Sequence, residues 1–200
     1  KIFHNFGENL HFEHDLKKKN WFNIGGKSKV FFKADHLDQL ISFLKILNNQ
    51  ERIFVLGAGS NVLITDDLFD GVVIKLGKNF NNITLHSEDI IIAGSAVLDK
   101  SLSNFALKNS LSGFEFLSCI PGTVGGGIAM NAGCFDREFK DILVSVQAID
   151  KLGRVITIPS KEIKFEYRKS NIPEDYIFLS ASFRGIKSNQ KKIEATTNKL

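Results

Sequence analysis

The chain has 200 residues, of which 43% are hydrophobic, and this is enough to bury one sizeable core or two small lobes that share an interface. The formal net charge is only +4, from 26 basic and 22 acidic residues; this argues against a nucleic-acid partner, which would require a clustered basic face, but it allows an anionic ligand. No apolar run approaches the roughly 20 residues of a membrane-spanning helix, and two cysteines are too few for a disulfide framework, so we expect a cytoplasmic protein with reduced thiols and no membrane partner.

The first clear elements are a strand and an amphipathic helix. The run "SKVFFKA", residues 28–34, predicts a strand. It is followed by "HLDQLISFLKILNN", residues 36–49, in which leucine and isoleucine recur at helical spacing. Asp35 is the predicted N-cap of this helix, and Asp38 follows three residues later in the first turn.

A glycine loop interrupts the strands that come next. In residues 52–76, two short apolar runs flank Gly57–Asn61, and a third run follows the turn-forming "DDLFDG". This order predicts a strand, the glycine loop, a second strand, a turn and a third strand. Residues 1–77 are therefore predicted to form a first lobe.

A second cycle of strands and helices begins near residue 78. "DIIIAGSAV" predicts strands, and "LDKSLSNFALKNSL" predicts a helix with one apolar side. Further on, "ILVSVQAID" and "RVITI" bracket a turn as a hairpin, "FEYRKSNIP" is predicted to be a loop, and "YIFLSASF" a last strand. We assign residues 78–186 to a second lobe. Residues 187–200 are polar with little to bury, and we expect them to begin a C-terminal substrate domain.

The loop Gly57–Asn61, "GAGSN", is a candidate cradle for a pyrophosphate. Glycines permit positive φ, so successive N–H groups can turn toward one anion, with Ser60 and Asn61 as further donors. A tight turn between strands is the alternative. Two other phosphate motifs are excluded, because the chain lacks a Walker loop, and because a Rossmann fingerprint would need glycine where Val62 stands.

A second uncharged, glycine-rich stretch runs from Ser118 to Gly133. Within it, "PGTVGGG" offers a proline-fixed entry and three glycines with no side chain to obstruct a ligand. We predict a short helix that starts near Thr123 or Gly125 and points its free N–H groups at the same anion. Close packing between a helix and a strand is the alternative. Together, the two loops predict a cleft for a dinucleotide.

These blocks, taken in order, resemble the UDP-N-acetylenolpyruvoylglucosamine reductase family, also called UDP-N-acetylmuramate dehydrogenases. The similarity runs through "NWFNIGGKSKVFF", "VLGAGSNVLI", "GVVIKL", "GFEFLSCIPGTVGGGIAMNAG" and "FEYRKS", and covers most of residues 20–184. The resemblance implies a two-lobed α+β FAD-binding region of the vanillyl-alcohol-oxidase (PCMH) type, with FAD between the lobes. It also implies an FAD-dependent oxidoreductase of peptidoglycan precursor synthesis.

The family's reaction implies roles for particular residues. NADPH reduces FAD, and flavin N5 then gives hydride to the enolpyruvyl group of a UDP-sugar, leaving an enolate beside a carboxylate. Arg168 matches the family arginine that stabilises this enolate, and Tyr167 would contact the substrate. The cofactor-binding positions implied by the resemblance are Gly57, Ala58, Gly59, Ser60, Asn61, Val62, Leu63, Ile120, Pro121, Gly122, Thr123, Gly125, Gly126, Gly127, Asn131, Ala132 and Gly133.

The chain departs from the family pattern at two places. The family's proton-donating serine and assisting glutamate lie in a C-terminal domain, so we do not expect residues 1–200 alone to be catalytically competent. Family members also often read Asn-Ala-Gly-Ala-Tyr-Gly where this chain has residues 131–136, "NAGCFD". Two alternatives remain open, namely another flavin oxidoreductase of the same fold and a non-catalytic flavin-binding module. We expect a monomer.

Two further groups of residues carry weaker hypotheses. His11 and His14, in "HFEH", have a spacing that could bind a metal on a helix, but no third ligand cluster follows, so we predict no metal site. Cys119 and Cys134 bracket the second glycine stretch. Related flavin oxidases sometimes tether FAD through a cysteine or a histidine, but we predict two small reduced residues packed in a core.

Overall fold

The N-terminal part of the chain builds a four-stranded sheet. The structure is a computed structural model that describes residues 2–200, with side chains from residue 6. A 3-10 segment, Ile2–Asn9, leads into the sheet. The elements are β1 (Leu10–Asp15), β2 (Lys27–Ala34), α1 (Leu37–Leu47), β3 (Ile53–Val55) and β4 (Phe69–Leu76). The strand order is β1-β2-β4-β3, with β1 antiparallel to β2 and the other pairs parallel.

The two faces of this sheet are covered in different ways. One face packs Phe32 and Ile74 against α1, whose Leu40, Phe43 and Leu44 are fully buried. The other face is covered by the segment between β3 and β4, which forms a separate small cluster with the sheet. The members of that cluster are Leu16, Phe31, Leu56 and Val73, with Val62, Ile64 and Phe69 packed against them.

Two local predictions are wrong in this first sheet. Residues 62–65 form no strand, because Val62 and Ile64 pack across the sheet face instead of pairing with a neighbour. Asp35 does not cap α1; its side chain accepts a hydrogen bond from the Lys78 backbone N at 3.0 Å, and the N-cap is His36. The "HFEH" segment lies on strand β1 and not on a helix.

The second sheet is antiparallel throughout. Its strands are β5 (Ile83–Leu85), β6 (Ile90–Gly94), then β10 (Leu143–Ile149), β11 (Val155–Pro159) and β14 (Ile177–Arg184), in the order β11-β10-β14-β6-β5. Short pairs accompany the sheet: β7 (Leu111–Ser112) with β15 (Ile186–Lys187), β8 (Gly133–Cys134) with β9 (Arg137–Glu138), and β12 (Phe165–Glu166) with β13 (Lys169–Ser170). The predicted hairpin of β10 and β11 and the predicted last strand β14 are confirmed. The "FEYRKSNIP" segment is not a plain loop, because β12 and β13 form a small hairpin within it.

Three helices accompany the second sheet: α2 (Asp99–Lys108), α3 (Val124–Ala129) and α4 (Gln190–Thr197). Leu102 of α2 and Ile128 of α3 are fully buried in one core with Ile91 and Phe183 of the sheet. Near the end of the chain, α4 buries one side chain, Ile193, which is 3% exposed. None of the helices among the described residues is long and apolar enough to cross a membrane.

The two sheets share part of one core. Strand β14 has alternating buried residues on one face, and the two ends of that face pack against different helices. Ala181 and Phe183 belong to the core of α2 and α3, whereas Ile177 and Leu179 belong to the core of α1. The first sheet and its helix are therefore held against the second sheet by buried apolar side chains.

Candidate functional site

A cleft of about 980 Å³ opens between the two sheets. It is bounded by the end of β3 and the glycine loop on one side, and by the turn after β6, the start of α3 and the β12–β13 hairpin on the other. Of the predicted site residues, the lining contains Gly57, Ala58, Thr123, Gly125, Gly126 and Arg168. The structure therefore brings both glycine stretches and the predicted catalytic arginine to one cavity.

The two glycine stretches touch each other at the floor of the cleft. A Cβ placed on Gly57 would lie 2.6 Å from Thr123 Oγ1, a distance that real side chains do not reach. A side chain at position 57 would therefore displace the side chain of Thr123. The absence of a side chain at Gly57 lets a loop from the first sheet approach the beginning of α3.

The loop Gly57–Asn61 carries donors that the protein itself does not use. Among the described residues, no acceptor is recorded for the backbone N–H groups of residues 57–61. Gly59 has φ +72°, and a Cβ there would meet the backbone of Lys19 and Asn20. Its carbonyl accepts a hydrogen bond from the Trp21 backbone N at 3.0 Å, which fixes the loop against the preceding segment. Such unpaired N–H groups in a loop suit an anion.

The start of α3 contributes fewer donors than predicted. The Val124 N–H donates to Val97 O at 2.9 Å, and the Gly125 N–H donates to Ser95 O at 2.9 Å. These amides hold the helix on the turn after β6 and are not free for an anion. Gly126 is exposed, and a Cβ built there would lie 3.6 Å from Thr123 Oγ1, which is an ordinary van der Waals contact. The prediction that this helix points its free N–H groups at the ligand is therefore wrong for its first two amides.

Two cleft residues were missed by the sequence reasoning. Lys75 lies in β4, and its Nζ donates to the Gly57 carbonyl at 2.7 Å; burial, with a smaller contribution from Lys19, lowers the pKa of Lys75. The buried Ser95 lines the cleft, and its Oγ has no hydrogen-bond partner among the described residues. Neither residue belongs to a motif. The only sequence signal for a role in the site is that Lys75 lies within a strand and Ser95 directly follows one.

Arg168 and its neighbour Tyr167 form the tip of the β12–β13 hairpin. Arg168 has φ +56°, is exposed and lines the cleft, and its guanidinium lies 5.8 Å from the centre of the Tyr167 ring. Tyr167 is 84% exposed and is not part of the cleft lining. The guanidinium is therefore available to a bound anion, whereas the tyrosine faces solvent.

Asn131 has a structural part in the same region. Its side chain donates to Glu138 Oε2 at 3.1 Å and to the Glu166 carbonyl at 3.2 Å, and it accepts from the Lys140 backbone N at 3.1 Å. The bond to Glu166 ties the segment after α3 to the hairpin that carries Arg168. The predicted cofactor positions that do not line the cleft are Gly59, Ser60, Asn61, Val62, Leu63, Ile120, Pro121, Gly122, Gly127, Asn131, Ala132 and Gly133.

A buried carboxyl group adjoins the second glycine stretch. Asp99, at the start of α2, has 0% exposure, and neither of its carboxyl oxygens has a partner among the described residues. Its backbone N–H donates to the Gly122 carbonyl at 3.1 Å, and a Cβ on Gly122 would lie 2.7 Å from Asp99 Oδ2. Burial raises the pKa of Asp99 to about 8, so the group is mainly protonated at neutral pH.

The weaker hypotheses can now be placed in the structure. The rings of His11 and His14 lie 5.0 Å apart on β1, and His14 stacks on Phe31 at 4.4 Å. No group of three possible metal ligands occurs among the described residues. Cys119 is exposed and Cys134 half-buried, so the prediction that both pack in a core is wrong for Cys119.

Comparisons with known proteins agree with this geometry. Residues 28–159 match the family described as FAD binding domain. The UDP-N-acetylenolpyruvoylglucosamine reductase of Pelagibacter ubique is 60% identical over 194 residues, which are 97% of this chain and 64% of that protein. The protein of the same name from Rickettsia bellii (strain RML369-C) is 46% identical over 188 residues, which are 94% of this chain and 62% of that protein. The chain thus spans slightly less than two thirds of the length of these curated relatives.

Solved structures show the same fold. The UDP-N-acetylenolpyruvylglucosamine reductase of Thermus caldophilus has a TM-score of 0.82 at 26% identity, covering 95% of this chain and 66% of that one. Wild-type Phl p 4.0202, a glucose dehydrogenase, has a TM-score of 0.64 at 11% identity, covering 91% of this chain and 42% of that one, so it shares the fold alone. The predicted α+β fold of the vanillyl-alcohol-oxidase type is confirmed. Because the family match extends over well more than half of its residues, the chain belongs to the FAD-binding domain family.

Proposed function

We propose that this chain is the FAD-binding part of a UDP-N-acetylenolpyruvoylglucosamine reductase. Such an enzyme uses NADPH and FAD to reduce UDP-N-acetylglucosamine enolpyruvate to UDP-N-acetylmuramate, in cytoplasmic synthesis of peptidoglycan precursors. The observation that carries the proposal is the meeting of both glycine stretches and Arg168 at one cleft. The identity of 60% to a relative of this name supports the same assignment.

The residues of the cleft suit FAD. Unpaired N–H groups of residues 57–61 and the Ser95 hydroxyl are donors for phosphate or ring oxygens. Lys75 adds a positive charge beside the glycine loop. The exposed backbone at Gly126 leaves room for a flat ring to approach α3. We infer that residues 57–63, 120–127 and 131–133 form the cofactor site, with residues 1–77 and 78–186 as its two lobes.

In the proposed reaction, the residues of this chain bind the cofactor and hold a positive charge in a fixed position. FAD would supply the hydride that reduces the enolpyruvyl double bond. Arg168 would then face a negative charge that develops beside the substrate carboxylate. A guanidinium stays charged at any physiological pH and presents forked donors that match a carboxylate, so a fixed arginine at this place stabilises the transition state. The hydrogen bond from the Asn131 side chain to the Glu166 carbonyl holds the Arg168 hairpin in position.

Other parts of the proposal concern regions outside this cleft. The proton donor for the product would come from residues that the longer relatives have in addition. The assignment of residues 187–200 to the start of a substrate domain stays a prediction. We also propose that the protein acts as a monomer, with NADPH and the UDP-sugar as its small-molecule partners.

A flavin titration tests the first part of the proposal. We expect the purified chain to carry a flavin spectrum, or to bind added FAD with quenching of flavin fluorescence. A colourless protein that rejects added FAD would contradict the proposal. Inorganic pyrophosphate should compete with FAD, because both need the donors of residues 57–61.

Arg168→Lys tests the catalytic part in the longer protein that contains the substrate residues. We expect reoxidation of the reduced flavin by the enolpyruvyl substrate to slow by about 10²-fold or more, because lysine cannot reproduce the forked contact. Reduction by NADPH should stay unchanged. Stopped-flow absorbance at the flavin band measures both half-reactions.

Arg154→Lys is the matched control for that variant. Arg154 lies at the β10–β11 turn and pairs with Asp150 at 2.7 Å, outside the cleft lining. Both half-reactions should be unaffected by this change. If Arg168→Lys slowed the two half-reactions equally, the role of Arg168 would be structural.

A further inference from the structure

The two cysteines of the chain lie at the two ends of the segment that contains α3. Cys119 ends the 3-10 helix Glu115–Cys119, and Cys134 lies in β8. The Cys134 thiol donates to the Phe116 carbonyl, with a sulfur–oxygen distance of 3.2 Å. In a 3-10 helix a carbonyl points toward the amide three residues later. The contact with Phe116 therefore places the Cys134 sulfur at the end of the helix that carries Cys119.

The two thiols differ in their surroundings. Cys119 is exposed, and its sulfur lies 3.6 Å from the Ser118 hydroxyl. Cys134 is half-buried; burial raises the pKa of its thiol, and a hydrogen bond with the Cys119 thiol raises it further. The positive charge of Arg168 acts in the opposite direction on the Cys134 pKa, so this thiol also lies within electrostatic range of the cleft.

We propose that Cys119 and Cys134 are a redox-sensitive pair, which a peroxide oxidant closes into a disulfide across the second glycine stretch. The segment between them, residues 120–133, contains α3 and part of the cleft wall. The pair is the only one that the chain offers, because the sequence contains just two cysteines. A disulfide here would tie together the two ends of a segment that lines the cofactor cleft.

The chemistry proceeds in two steps that balance. The exposed Cys119 thiol attacks hydrogen peroxide, which breaks the O–O bond and leaves a sulfenic acid and one water. The Cys134 sulfur then attacks the Cys119 sulfur, forming the S–S bond and releasing a second water. Two thiols are oxidised and one peroxide is reduced.

Peroxide treatment of the purified protein without added flavin tests the proposal. We expect both thiols to become unreactive to an alkylating reagent together, and the intact mass to fall by two hydrogen atoms. Proteolysis should yield one linked peptide pair that contains Cys119 and Cys134, and dithiothreitol should restore both thiols. Because none of these readouts needs a cofactor, they are independent of FAD binding and of turnover.

Single variants separate this disulfide from ordinary oxidation. In Cys134→Ser, peroxide should add oxygen to Cys119 without a cross-link, because the resolving thiol is missing. In Cys119→Ser, Cys134 should stay alkylatable for much longer, because it is half-buried. Oxygen adducts on Cys119 of the parent protein with Cys134 still reduced, or cross-linked dimers in place of the internal link, would overturn the proposal.

Discussion

Lys75 combines a half-buried charge with a contact to the glycine loop. Its ammonium holds the Gly57 carbonyl at 2.7 Å, which keeps that oxygen turned away from an anion bound by the loop's N–H groups. We expect Lys75→Met to raise the Kd for FAD about tenfold, equivalent to about 1.4 kcal/mol, through loss of a charge-assisted hydrogen bond. Because the pKa of Lys75 is lowered, FAD binding to the parent should weaken with rising pH before an ordinary lysine would deprotonate.

Fluorescence titration with FAD over a pH series measures this effect. Lys33→Met is the matched control, since Lys33 pairs with Lys75 in the register of β2 and β4 but is exposed and bonded to Asp35. The control should bind FAD as the parent does, with the same pH profile. Equal affinities of Lys75→Met and Lys33→Met would show that Lys75 does not order the loop.

The buried carboxyl group of Asp99 should give the free energy of unfolding an unusual dependence on pH. Its pKa is about 8 in the folded chain and about 4 in an unfolded chain. The folded state therefore binds the extra proton between these values, and the stability that this proton contributes is complete below about pH 4 and lost as the pH rises through about 8. Asp99→Asn, which is neutral at all pH values, should abolish this loss.

Urea unfolding at about pH 4 and about pH 9 checks the prediction for Asp99. The variant and the parent should have similar free energies of unfolding at the lower pH, and the variant should be the more stable by a few kcal/mol at the higher pH. Asp38→Asn is the control, because Asp38 occupies the first turn of α1 but is exposed. A parent stability that does not fall between these pH values would contradict a buried, protonated Asp99.

At the scale of single elements, the sequence patterns predicted the strands and helices that bury one of their faces against a neighbouring element. α1, α2, β10, β11 and β14 agree with the periodicity of their apolar residues. The predicted strand at 62–65 failed because Val62 and Ile64 bury their side chains on a sheet face without any pairing of the backbone. Periodicity reports burial, and it does not distinguish a strand from a loop that crosses a sheet.

Prediction of the site from the sequence has the same limit. Glycine-rich stretches indicated a cleft correctly, since their composition alone implies close approach of backbones. Lys75 and Ser95 were missed because their roles depend on which strand ends meet in space. The free amides predicted for α3 were partly wrong because Ser95 and Val97 carbonyls, which no motif marks, already accept hydrogen bonds from them.

Helix α3 provides a matched pair of glycines with opposite surroundings. A Cβ on Gly127 would collide with the ring of Phe139, which has 0% exposure and no room to move. We expect Gly127→Ala to lower the free energy of unfolding by about 1–3 kcal/mol through overpacking. Gly126 faces open space in the cleft, so Gly126→Ala should leave stability equal or higher by up to about 1 kcal/mol, through better helix propensity.

The two variants should also differ in FAD affinity, and the loss of affinity should not follow the loss of stability. The methyl group of Gly126→Ala would project where a flat ring approaches α3, so the Kd for FAD should rise although the fold is intact. Chemical denaturation and FAD titration, performed on both proteins, give the two readouts. If Gly126→Ala bound FAD as tightly as the parent, the proposed approach of the ring to α3 would be wrong.

On the scale of the whole molecule, two lobes were predicted, but their common core was not. The residues that join the sheets lie far apart in sequence, so no local pattern marks them. Ile149, Ile177 and Leu179 of the second sheet pack in one cluster with Phe43 of α1. A core shared in this way couples the folding of the two sheets.

Leu179→Ala tests whether this shared core makes the lobes unfold together. Leu179 is 4% exposed, and removal of its side chain should cost about 2–5 kcal/mol. Fluorescence of Trp21 reports on the surroundings of the first sheet, and alkylation of Cys134 reports on the surroundings of the second sheet. We expect a single urea midpoint for both probes in the parent, shifted equally in the variant. Leu152→Ala is the control, because Leu152 lies on the β10–β11 turn and is 51% exposed; it should shift neither midpoint. If Leu179→Ala moved the Cys134 midpoint and left the Trp21 midpoint unchanged, the two regions would fold independently.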